Sequence, residues 1–110
     1  MTFDYPKLVG NLSEEERIRF YELFANNLTV NVRGIWFDDN LSDTQKVENM
    51  RWLNEIMAGV VQKSAALRSG RHSYSEEESW EGINHCVSQS PEIDKSVEWT
   101  IKASYERCIH

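Results

Sequence analysis

Cysteine is scarce in this chain: Cys86 and Cys108 are the only two among 110 residues. No Cys-x-x-Cys spacing occurs, which removes the usual signature of a structural zinc site or a vicinal redox pair. The two are read as buried free thiols in a reducing compartment. Long apolar runs are missing too. No stretch reaches the 18 apolar residues of a membrane span, and Met1 to Lys7 show neither a basic nor an apolar targeting region. A cytoplasmic protein with no membrane partner is expected, and the Asn27-Leu28-Thr29 sequon reads as chance.

Glycines are few and dispersed, at positions 10, 34, 59, 70 and 82, so neither type of phosphate-cradling loop is present. His72, His85 and His110 are scattered, without a His-Glu-x-x-His or Glu-x-x-His pattern, so no metal site and no cofactor are expected. Glu81 and His85, four residues apart, share a helical face; a rim interaction is expected there rather than an acid–base pair. Cys86 falls mid-helix near an apolar face, where a packed thiol is expected rather than a nucleophile. A Ser-His-Asp or Cys-His set assembles only in the fold, so enzyme activity has no anchor at this level.

Basic residues are in deficit, 12 against 18 acidic, for a formal charge of −6. That balance disfavours direct nucleic-acid binding. The charge is uneven: Lys63, Arg68 and Arg71 form a basic spot, whereas residues 73–94 carry Glu76, Glu77, Glu78, Glu81, Glu92 and Asp94 with no Lys or Arg.

What is present is an ordinary globular composition, 40% hydrophobic and 27% charged, at the length of one domain. Residues 1–12, with Pro6, Gly10 and Asn11 among Phe3, Tyr5, Leu8 and Val9, suggest an irregular N-terminal arm packed onto the body. Ser13 with Glu16 forms a capping box, and Ile18, Tyr21, Ala25, Leu28, Val32 and Ile35 recur at helical spacing, which predicts a helix over about 14–37. Residues 28–33 also alternate at period two, so a strand is the competing assignment for that segment. Asp38, Asp39 and Asn40 read as a turn. Ser42 with Gln45 opens a second helix, about 43–69, marked by Met50, Leu53, Met57, Val60 and Leu67 and stopped by Gly70. Ser75 with Glu78 opens a third over about 76–89, and Ser90-Pro91 a fourth over about 91–108.

The expected fold is therefore all-α, a single domain of two long antiparallel helices plus a shorter helical hairpin, resembling a four-helix bundle with an arm. The long pair is too long for the short pair to cover, and its apolar arcs look wide. Surplus apolar surface of this kind points to a homodimer, with Phe20, Phe24, Asn27, Asn31, Trp52, Ile56 and Trp99 as interface candidates; coverage by the arm is the competing explanation. Asn27 and Asn31 are candidate register-setting polar groups, and Trp80 is expected in the core.

Three functions follow in order. The first is a non-enzymatic interaction or regulatory protein acting through protein–protein contacts, with the acidic third helix as a possible nucleic-acid mimic for a basic partner. The second is a small ligand-binding or enzymatic bundle with a pocket between the hairpins, using Asn27, Asn31 or Arg33 as polar contacts. The third, disfavoured by charge, is a nucleic-acid binder using Arg68, Arg71 and His72 beside Tyr74.

Overall fold

The computed structural model describes residues 5–70 and 76–109, and among them five helices and no strand are found. They are α1 (Tyr5–Gly10), α2 (Glu14–Trp36), α3 (Asp43–Arg68), α4 (Glu76–Val87) and α5 (Pro91–Ile109). The all-α expectation holds, and residues 28–33 are helical. Phe3, the Ser75 cap, the Arg71, His72 and Tyr74 turn and His110 lie outside the described residues.

Helix starts follow the sequence chemistry. The Glu16 amide donates to Ser13 Oγ at 3.1 Å while the Ser13 amide donates to Glu16 Oε1 at 3.0 Å. Ser42 and Gln45 repeat the exchange at 3.2 and 2.8 Å. Each box satisfies two of the first-turn groups a helix leaves unpaired. The turn after α2 is fixed by the Asn40 amide donating to Asp38 Oδ1 at 2.9 Å. Past α3, Gly70 takes φ 69°, the left-handed conformation that stops a helix and that glycine adopts without a Cβ penalty.

The arm departs from its irregular reading. Tyr5–Gly10 is helical because Pro6 sits in the first turn, where its missing N–H costs nothing, and Tyr5 and Val9, one turn apart, both bury on the same side. This short helix packs mainly on α4 and less on α2. The Tyr5 ring stacks on Trp80 with centroids 6.2 Å apart.

α2 is the central helix, packed on α3 along one side and on α5 along another. Phe20, Phe24 and Trp80 form the centre of the core; both Phe–Trp pairs have centroids 6.2 Å apart. Leu28, Leu53, Ile93, Val97 and Ile101 extend it along α2, α3 and α5. The far end is closed by the Cys108 thiol, which donates to the Glu16 carbonyl at 3.0 Å. Cys86 and Cys108 are both buried and unbridged.

Candidate functional site

A concave groove of about 1190 Å³ lies between α3 and α4, which line it together with Tyr21 of α2. Its origin is the size of the facing side chains. α3 presents Ile56, Gly59, Val60, Lys63 and Ala66, and α4 presents Ser79, Gly82, Ile83 and Cys86. The larger apolar ones bury into the core and form the floor. A Cβ placed on Gly59 or Gly82 meets nothing within 4 Å, so the two helix walls stand apart at these positions. The stretch Glu55–Ala66 gives the groove a length of about 16 Å at helical rise.

One end is bounded by an ionic cluster joining three helices. The Tyr21 hydroxyl of α2 donates to Glu76 Oε2 in the first turn of α4. Lys63 Nζ of α3 and Arg17 Nη1 of α2 each lie 3.6 Å from Glu76 Oε1. The Glu76 side chain is 14% exposed and that of Lys63 8%, so these charges interact through a medium less screening than water. Burial, then the adjoining Glu76 carboxylate, pushes the Tyr21 phenol well above its ordinary range.

At the other end Cys86 Sγ lies 3.9 Å from Glu55 Oε2, a weak contact. Burial, reinforced by the Glu55 charge, pushes the thiol up. That keeps it protonated near neutral pH, the opposite of what a nucleophile needs. The His85 ring stands edge-on to Trp52 with centroids 5.9 Å apart. Among the described residues no three His, Cys, Asp or Glu side chains converge as a metal-holding set. The arrangement offers a shaped apolar floor with charged ends.

The seven interface candidates do not form one face. Phe20 and Phe24 are fully buried and Ile56 nearly so, because α5 lies along α2 and α1 and α4 bring Tyr5 and Trp80 over the same side. The chain itself thus covers residues whose width of arc had suggested a partner. Asn27 and Asn31 face α5: Asn27 Nδ2 donates to Ser104 Oγ at 3.0 Å, and Asn31 Nδ2 donates to Thr100 Oγ1 at 2.7 Å and to the Ser96 carbonyl at 3.1 Å. They are polar groups inside an apolar contact, within one chain. Trp52 is half-buried at the α3 edge, its indole N–H donating to Glu48 at 3.2 Å and the Arg51 guanidinium 4.9 Å above its ring. Trp99 alone is openly exposed, at 61%.

Sequence reasoning placed Lys63 in a basic spot and Glu76 in an acidic run without pairing them, and gave Gly59 and Gly82 no role. Signals existed for three of them. Lys63 continues the buried Leu53, Ile56, Val60 stripe of α3, and Gly59 and Gly82 are mid-helix glycines with a propensity cost. Glu76 carried no distinguishing mark among its acidic neighbours. No known family model matches the chain, and comparison with curated proteins and with solved structures finds no match.

Proposed function

We propose that this chain is a non-enzymatic interaction protein, a helical-bundle module acting through protein–protein contacts as a homodimer. The observation carrying this reading is the set of large apolar side chains outside a closed core. Trp36 and Phe37 end α2, Val30 stands seven residues before Phe37 on the same side, Val47 lies on α3 and Trp99 on α5, and all are exposed. Exposed aromatics are costly to keep in water unless something covers them, and a second copy related by a two-fold axis is the commonest cover. On this reading the contact centres on Trp36, Phe37 and Trp99, with Trp52 at its edge.

Phe37→Glu and Trp99→Glu are mild tests for the fold, since both side chains already face solvent. Each variant is expected to elute later than the native protein in gel filtration at equal concentration. Elution of all three at the monomer position contradicts the reading.

A second reading, a small-ligand bundle, is favoured by the α3–α4 groove. Its polar lining includes Tyr21, Glu55, Lys63, Glu78 and His85; Asn27 and Asn31 are engaged with α5 instead. An apolar dye that binds natively and is lost on Gly82→Leu supports it. A dye that does not bind removes it.

A further inference from the structure

We infer that the α3–α4 groove docks an amphipathic helix of another protein, apolar on the face that enters and basic along its flanks. This rests on reading the chain as an interaction protein, though not on its being a dimer.

The shape comes first. The groove, with Ile56, Val60 and Ile83 buried at its floor, is lined along α3 from Glu55 to Ala66, about 16 Å or three helical turns. Its volume of about 1190 Å³ exceeds the roughly 300–1,000 Å³ of small-molecule sites. A helix presenting apolar residues at i, i+3 or i+4 and i+7 fills such a trough.

The glycines are an independent observation. Gly59 and Gly82 lie inside helices, where each costs about 1 kcal/mol relative to alanine. Positive φ, found only at Gly70 among the described residues, does not require either of them. Nothing in the chain occupies the space their Cβ atoms would take. What the absent side chains provide is room for a close-approaching backbone, flanked by Ala66 and Ser79.

Charge selects the occupant. Glu55 and Glu78 line the groove, Glu77 and Glu81 are exposed on α4 outside the lining, and residues 76–94 contain no Lys or Arg. The lining cation, Lys63, sits at one end of the groove, 3.6 Å from a Glu76 carboxylate that it shares with Arg17. Within this groove the Glu55 and Glu78 carboxylates favour a basic-flanked helix over an acidic one.

The test titrates the isotope-labelled full chain with a synthetic peptide of about four turns, leucine on one face and Lys or Arg elsewhere. Two controls accompany it: the same peptide with Glu in place of the basic residues, and a scramble of identical composition. The basic amphipathic peptide is expected to shift the amides of Gly59, Val61, Ser79 and Gly82. Binding should weaken by at least about tenfold for both controls, and likewise on Gly82→Leu, which fills the groove. Glu55→Lys, an exposed and structurally mild change, should weaken the basic peptide and strengthen the acidic one. Equal binding of the scramble, shifts confined to α2 and α5, or affinity unchanged by Gly82→Leu and Glu55→Lys each overturn the assignment. So does failure of the basic peptide to bind. Solution mass reports on the dimer separately, so either idea can fail alone.

Discussion

The Tyr21 hydroxyl and the Glu76 carboxylate meet across 55 positions of sequence, binding the N-terminal third of α2 to the first turn of α4. Lys63 and Arg17 complete the cluster from 3.6 Å each. Glu76 therefore fixes where α4 starts relative to α3, and with it the width of the groove. Removing that carboxylate takes a countercharge from two cations, one of them buried. Glu76→Gln should cost about 2–3 kcal/mol in urea unfolding, and Tyr21→Phe about 1–2 kcal/mol. A Glu76→Gln protein as stable as the native one shows that the cluster does not hold α4.

Stability should fall at alkaline pH. Burial is the main cause raising the Tyr21, Tyr5, Cys86 and Cys108 groups, with Glu76 adding at Tyr21, Glu98 at Tyr5 and Glu55 at Cys86. Each raised group keeps its proton in the folded chain after the unfolded chain has lost it. Their contribution is intact below the unfolded values and is lost as pH climbs past about 9 for the thiols and about 10 for the phenols. Thermal midpoints measured from neutral to alkaline pH should drop in that window, less steeply for Tyr21→Phe. A flat profile contradicts these burial assignments.

The α2–α5 contact depends on its polar seam. Asn31 is 8% exposed and gives both of its amide-nitrogen bonds to α5. Asn31→Ala should destabilise by about 1–3 kcal/mol by leaving Ser96 and Thr100 without that donor, whereas the half-buried Asn27→Ala should cost about 1 kcal/mol or less. A double-mutant cycle between Asn31 and Thr100 should show coupling of at least about 0.5 kcal/mol. Simple additivity removes the seam as a register device.

Glycine to alanine in the groove should stabilise. Gly59→Ala and Gly82→Ala each add helix propensity without a clash, worth about 0.5–1 kcal/mol in chemical denaturation. Destabilisation by either variant means that the walls stand closer than the structure places them.

Much of the helix pattern was legible because it is local chemistry. Ser13 with Glu16 and Ser42 with Gln45 mark their helix starts, and Gly70 marks a stop, through bonds and angles spanning a few residues. The interface candidates were harder, since a wide apolar arc looks the same whether a partner or the chain's own helices cover it. Phe20 and Phe24 are covered by Trp80 and its surroundings, some 60 residues on, a placement periodicity does not encode. The arm misled for a related reason: Pro6 and Gly10 read as breakers, yet each sits at an end of α1, where breakers are tolerated. The sequence suggests a pocket between the hairpins as an alternative, but with Asn27, Asn31 or Arg33 as its polar contacts; the lining that is found belongs to α3 and α4, around Gly59 and Gly82, a pairing of distant helices that periodicity does not encode.

The most direct test of the account is the solution mass of the native full chain by light scattering through a dilution series. With a chain of 12.9 kDa, the account predicts twice that mass persisting into the low micromolar range. A mass of 12.9 kDa at every concentration contradicts it.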